Sequence, residues 1–169
     1  MGGGSGLQVI VVGAGIGGLS IALTCHRRGI ACRVFEQSAV VGELGVGINM
    51  LPHAVRELRD LGLLGHLDAV GVRTYELFYL NRFGQEVWHE LRGLDAGHEV
   101  PQLSIHRGHL QGVLLRAVQE RLGSDAVRTG HRLVEVAQDG RRVIARFQDR
   151  SGAEVARVGG DVLVGADGI

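Results

Sequence analysis

The apolar positions of this chain change period along its length, and each change marks a new element. From Leu7 to Val12 the run "LQVIVV" is almost continuous in Val and Ile, the pattern of a strand buried on both faces of a parallel sheet. In the following "GAGIGGLSIALTCHRRGI", Ile16, Leu19, Leu23 and His26 recur at helical spacing, and Gly29 supplies a stop. "ACRVFE", Ala31 to Glu36, reads as a second strand. Strand, helix and strand within about 30 residues form one βαβ unit with a right-handed crossover.

The pattern then shifts. "LPHAVRELRDLG" predicts a short helix, with Pro52 suited to the first turn, Val55, Leu58 and Leu61 on one face, and Gly62 as its stop. "GVRTYELFYLNRFGQEVWHEL" predicts a hairpin whose strands are joined around Asn81 to Gly84. From Arg107 to Leu122 the chain is strongly amphipathic, with Leu110, Val113, Leu114, Ala117 and Val118 on one face and Gly123 beyond. Three short strands broken at Asp139–Gly140 and Ser151–Gly152 predict a β-meander, and Val162 to Val164 returns to buried-strand character. The fold class is therefore α/β: a Rossmann-like βαβ unit with a parallel sheet, a β-meander and an inserted β-hairpin.

Composition narrows the chemistry. At 169 residues the chain fits one domain, or part of something larger. Its net charge of +0 gives no footprint for nucleic acid, and no apolar run approaches the ~20 residues that span a bilayer. With no resemblance to a signal peptide either, a cytoplasmic location is expected. All 18 basic residues are arginine, which excludes phosphate loops, Schiff-base enzymes and kinases that need a lysine ammonium. Cys25 and Cys32 fall in a predicted helix and strand and read as two reduced thiols. The eight histidines lack zinc-site spacing, so no metal is expected. Four of the 28 glycines lie in residues 1–6, which read as a flexible leader.

Gly13, Gly15 and Gly18 have the G-x-G-x-x-G spacing, directly after a predicted strand and at the opening of a predicted helix. Gly13 permits the tight turn, Gly15 lets a pyrophosphate approach the backbone, and Gly18 lets helix and strand pack closely. The helix N-terminus offers N–H groups and partial positive charge to phosphate oxygens. Glu36 closes the second strand 18 residues after Gly18, placed to accept both hydroxyls of an adenosine ribose and to repel a 2′-phosphate. FAD or NAD is favoured over NADP, and spacing does not separate the first two. Topology leans toward FAD, because the chain departs from alternating strand and helix into a hairpin, a long helix and a meander. An NAD-linked oxidoreductase and a non-catalytic dinucleotide-binding module are the alternatives.

In order, "VVGAGIGGLSIAL", "FEQS", "GVGINMLPHAVRELRDLGL", "SIHRGHLQGVLL" and "DVLVGADGI" resemble the first half of the FAD-dependent aromatic-ring monooxygenases, which include p-hydroxybenzoate and salicylate hydroxylases. Within that family "GVGIN", "PQLSIHRG" and "AVRTG" look closest to the phenazine-modifying members. The resemblance covers residues 7–169 and implies an FAD-binding domain there, with residues from about 70 to 103 forming part of a substrate domain. It implies that Gly13, Gly15, Ile16 and Gly18 face the FAD pyrophosphate, and Glu36 and Gln37 the adenosine ribose. Val46 and Gly47 would pass beside the isoalloxazine, Arg107 would reach the ribityl-phosphate region, Leu133 would hold the adenine by its backbone, and Asp167 would serve FAD and NADPH binding.

The implied reaction is hydroxylation of a small aromatic, phenazine-like substrate, with NAD(P)H as electron donor and O₂ activated as a hydroperoxyflavin. No residue stands out as the catalytic acid or base. His53, Tyr75, Tyr79, Trp88 and His89 are pocket candidates, although aromatic residues in a hairpin more often stabilise the sheet by cross-strand packing. The family continues beyond a "GADG" turn into the rest of its substrate domain, so the sequence reads as the N-terminal portion of a longer enzyme, inactive alone. Self-association through uncovered apolar faces is expected of such a portion.

Overall fold

A computed structural model describes residues 6–42 and 45–168. Apart from Gly6, the expected leader lies outside these residues, as does Ile169. In chain order the elements are β1 (Gln8–Val12), α1 (Ile16–Arg27), β2 (Ala31–Phe35), β3 (Gly47–Met50), α2 (Pro52–Asp60), α3 (Leu64–Asp68), β4 (Gly71–Thr74), β5 (Glu76–Leu80), β6 (Glu86–Leu91), β7 (Gln102–His106), α4 (Arg107–Leu122), β8 (Val127–Arg128), β9 (Arg132–Gln138), β10 (Val143–Gln148), β11 (Glu154–Gly160) and β12 (Val162–Gly165). Two compact units result, one of Met1–Gly42 with Leu114–Ile169, the other of Glu43–Val113.

In the first unit a parallel sheet has the order β12-β1-β2-β8. Helix α1 packs on β1 and β2, and the antiparallel meander β9-β10-β11 reaches β1 and β12. β1 is covered by both layers, which is why its sequence is continuously apolar and Val9 to Val12 are buried. The meander shares one core with the sheet: Ile10, Val12 and Phe35 meet Val143, Ala145, Phe147 and Val158. Phe35 and Phe147 stack with ring centroids 4.4 Å apart at 18°. Each meander turn is held by a carboxylate: Asp139 Oδ1 accepts from the Arg141 and Arg142 N–H groups, and Asp149 Oδ1 from Ser151 and Ala153. These bonds hold both carboxyls below the ordinary aspartate range, Asp139 mainly through the Arg142 amide and Asp149 mainly through the Ser151 hydroxyl. Where α1 meets β2, burial first, and then the neighbouring Cys25 thiol, push the Cys32 pKa up to about 12.

In the second unit β3 and β4 flank β7 in an antiparallel sheet, and α2 packs on β7. Val55, Leu58, Leu61, Leu63 and Leu67 bury the apolar side of α2, α3 and their connection, with Leu103 and Ile105 of β7 also buried. β5 and β6 pair separately as the predicted hairpin, and Asn81 Oδ1 accepts from the Phe83 and Gln85 N–H groups at its turn. The expected first strand of that hairpin is divided: Gly71–Thr74 leaves it and pairs with β7.

Candidate functional site

The first strand of the parallel sheet ends in a turn that only glycine fits. Gly13 has φ +102°, and a Cβ there would lie 2.4 Å from the Ala166 carbonyl oxygen. The turn is pinned from both neighbouring strands. The Gly13 N–H donates to the Phe35 carbonyl at 2.7 Å, and the Ala166 N–H to the Val12 carbonyl at 2.7 Å. Gly18 lies one turn into α1, where a Cβ would fall 1.9 Å from the Gly13 oxygen, so its role is the close seating of helix on strand.

Gly15 differs from both. It is the N-cap of α1 in extended backbone (φ −74°, ψ −177°), and the nearest atom to a Cβ there is the Ala166 oxygen at 4.0 Å. Ahead of the helix there is open space where a side chain would otherwise stand. No side chain caps α1, its first turn holds no acidic residue, and its first main-chain bond runs from Leu19 to the Gly15 carbonyl at 3.0 Å. The positive end of the helix dipole is thus left for an anion. These are the features a pyrophosphate requires, and the residues present fit it.

Glu36 stands at the mouth of this turn. Its Oε2 accepts the Ala14 N–H at 2.8 Å and its Oε1 the Ser38 N–H at 2.8 Å. Its main chain is held too, donating to the Arg128 carbonyl and accepting the His131 N–H, each at 2.8 Å. Each carboxylate oxygen has two lone-pair sites, so one on each remains for a ribose hydroxyl. Sequence spacing placed Glu36 at the strand end but gave no hint that it braces the glycine turn itself. The anchors Ala14, Ser38, Arg128 and His131 carry no sequence signal, because main-chain partners leave no mark in residue type.

Asp167 is brought to the same place: its Cα lies 2.8 Å from where a Gly13 Cβ would be. Ile16 opens α1, and Gln37 follows Glu36 on the exposed side. Leu133 lies in β9 opposite Phe147, with its side chain against the shared core.

Val46, Gly47 and Arg107 come together within the second unit. The Arg107 N–H donates to the Val46 carbonyl at 3.1 Å, and Gly47 pairs with His106 across β3 and β7. The His106 ring fixes this corner by accepting the Gly108 N–H at Nδ1 and facing the Gly45 carbonyl through Nε2, each at 3.2 Å. The Arg107 side chain is exposed. Of the aromatic candidates, Tyr79 faces Trp88 across the hairpin, and Phe78 stacks on His89 at 4.1 Å. Tyr75 and His53 are exposed at the edge of β5 and the start of α2. Among the described residues no cluster of three His, Cys, Asp or Glu could hold a metal ion.

The chain is 47% identical over 165 residues to phenazine 1,6-dicarboxylic acid hydroxylase PhzS of Lysobacter antibioticus, spanning 96% of this chain and 40% of that protein. It is 34% identical over 173 residues to salicylate hydroxylase of Pseudomonas putida, spanning 97% of this chain and 36% of that one. The flavin-dependent monooxygenase PieE, solved with FAD and substrate, superposes with a TM-score of 0.79 at 25% identity, over 99% of this chain and 31% of that one. The chain therefore spans about two fifths of the length of the curated relatives it matches. Residues 6–169 match the family described as FAD binding domain, and the chain belongs to that family.

Proposed function

We propose that this chain is the flavin-holding part of an NAD(P)H-dependent monooxygenase that hydroxylates a small aromatic, phenazine-like substrate with O₂. The observation that carries the reading is the Glu36 carboxylate, 2.8 Å from the Ala14 amide, beside an uncapped helix and the open space at Gly15. Ile16 and its neighbours in the first turn of α1 receive the pyrophosphate, and Glu36, flanked by Gln37, takes the ribose hydroxyls. Leu133 supplies main-chain contact to the adenine, and Asp167 closes the turn from the last strand. Val46 and Gly47 leave room for the ring system, while Arg107 provides a cation for the ribityl-phosphate region. FAD, when bound, supplies the electron transfer and oxygen chemistry. The chain's own task is to hold, orient and shield.

The names of the relatives support the substrate class, since they act on phenazine, hydroxybenzoate and salicylate rings. A cytoplasmic location belongs to the same reading and is supported by two free thiols. Self-association is supported by the hairpin, which exposes Phe78, Tyr79, Leu80, Phe83, Val87 and Trp88. Neither nucleic acid nor a membrane is part of the proposal, and no helix among the described residues is long and apolar enough to cross a membrane. Titrating the protein with FAD and following the quenching of flavin fluorescence tests the cofactor assignment. Weak but saturable binding is expected, because the chain spans only about two fifths of its relatives' length, and an absence of saturable binding would contradict the assignment.

A further inference from the structure

Both cysteines of the chain stand where α1 packs on β2, on surfaces that face each other. A Cβ on Gly18 of α1 would lie 3.2 Å from Val11 Cγ1, so the Val11 side chain is turned toward α1. Alternation along β1 puts Val9 on the same face, and the parallel register that pairs Val9 with Cys32 puts Cys32 there too. On the helix, Gly18 and Ala22 are buried, and Cys25 continues their stripe into the last turn. The chain between the two cysteines folds straight back. The Cys25 carbonyl accepts the Arg28 and Ile30 N–H groups at 3.0 and 2.9 Å, and Gly29 turns the corner at φ +69°.

The thiols meet as this geometry requires. Burial, the charge that Cys25 bears when ionised and a hydrogen bond between the two side chains together keep the proton on Cys32. Neither thiol is sealed off. Both are half-buried, and Cys32 lines a recess of about 250 Å³ with Gln8, Val9, Ala31 and Arg33. The chain holds no further cysteine to compete for either partner.

We propose that Cys25 and Cys32 form a reversible disulfide when the protein meets hydrogen peroxide, bridging the last turn of α1 to the start of β2. The Cys25 thiolate attacks one peroxide oxygen, the O–O bond breaks, and hydroxide leaves and takes up a proton to become water. The sulfur, oxidised by two electrons, is then a sulfenic acid. The Cys32 sulfur attacks it, the S–O bond breaks, and the Cys32 proton departs with that hydroxide as a second water. Two thiols and one peroxide thus give one disulfide and two waters. Cys25 lies ten residues beyond Gly15, about 15 Å along the helix, so the bridge reinforces the unit without reaching the glycine turn. The inference is independent of the flavin reading, and either can fail while the other stands.

Trypsin provides the test, because Arg27 and Arg28 lie between the two cysteines and residues 1–27 and 29–33 become separate peptides. After peroxide treatment of the folded protein these peptides should be recovered joined, and dithiothreitol should part them. Cys32→Ser should instead accumulate a Cys25 sulfenic acid that dimedone traps, with at least tenfold less of that adduct in the unmodified protein. The oxidised protein should unfold at a urea concentration about 1 M higher than the reduced one, a difference absent from Cys25→Ser and Cys32→Ser. Sulfinic acid without joined peptides, covalent dimers in place of the internal bridge, a bridge that forms only in urea, or an unchanged urea midpoint would each overturn the proposal.

Discussion

Replacing Gly15 with alanine separates two roles that the glycine-rich turn combines. In the folded chain the new methyl meets nothing closer than the Ala166 oxygen at 4.0 Å, and the backbone at φ −74° is one that alanine adopts freely. Alanine is a poorer N-cap than glycine by several tenths to about 1 kcal/mol, while reduced chain entropy in the unfolded state returns about 0.4–1 kcal/mol. Net stability should change by no more than about 0.5 kcal/mol, a shift of about 2 °C or less at this length. The methyl does, however, occupy the approach to the first N–H groups of α1. Losing one charge-assisted hydrogen bond to a phosphate oxygen costs about 1.5–3 kcal/mol, or about 10- to 100-fold in FAD affinity. Gly18→Ala is the contrasting variant. Its methyl would lie 1.9 Å from the Gly13 oxygen and 3.2 Å from Val11 Cγ1, so the helix must shift off the strand, costing about 1–3 kcal/mol or more. Thermal unfolding and FAD fluorescence titration on both variants provide the assay. Gly15→Ala that binds FAD like the unmodified protein, or that melts as low as Gly18→Ala, would refute the reasoning.

Glu36→Gln keeps one acceptor at the turn but removes the charge, so discrimination between ADP and adenosine 2′,5′-bisphosphate should shrink about tenfold in competition titrations, whereas Glu36→Ala should also lower the melting temperature by leaving the Ala14 and Ser38 amides unpaired. Cys32, with its pKa raised to about 12, should resist iodoacetamide at pH 8 in the folded protein and react once urea is added. A thiol raised in this way stabilises the fold below its unfolded pKa of about 8.5 and loses that contribution as pH climbs toward 12, so Cys32→Ala should flatten the alkaline limb of a stability–pH curve. Asp149 has the opposite sign: its lowered pKa stabilises above about pH 4 and is lost as pH falls through the folded value. Asp149→Asn, which still accepts the Ser151 bonds, should weaken the acid dependence seen in denaturant titrations below pH 4.

Much of the first unit was legible because its signals are local. The buried run at β1, the helical spacing of Ile16, Leu19 and Leu23 in α1 and the Asp–Gly and Ser–Gly turns of the meander each declare themselves within a few residues. The sheet of the second unit does not. β3 and β7 pair Asn49 with Ser104, and no period within either four- or five-residue strand announces a partner so distant in the chain. From sequence alone β4 belongs to the hairpin, because Gly71–Thr74 is continuous with it in β-character. Only pairing with β7 removes it. At the site, glycine spacing and Glu36 could be read from residue types, since backbone geometry restricts which residues stand there. The approach of the Ala166 carbonyl to Gly13 could not, because it depends on β12 lying beside β1. The burial of Gln102 was equally hidden, because a lone glutamine in a strand carries no sequence mark of it.

In the proposed reading the glycine turn and Glu36 form one receptacle for the adenosine diphosphate half of FAD. Amide NMR of the isotopically labelled protein, titrated with ADP, tests this most directly. The largest shifts should fall on Gly15, Ile16, Gly17, Gly18 and Glu36, with the hairpin amides of β5 and β6 unmoved. Shifts centred anywhere else, or none at saturating ADP, would contradict the account.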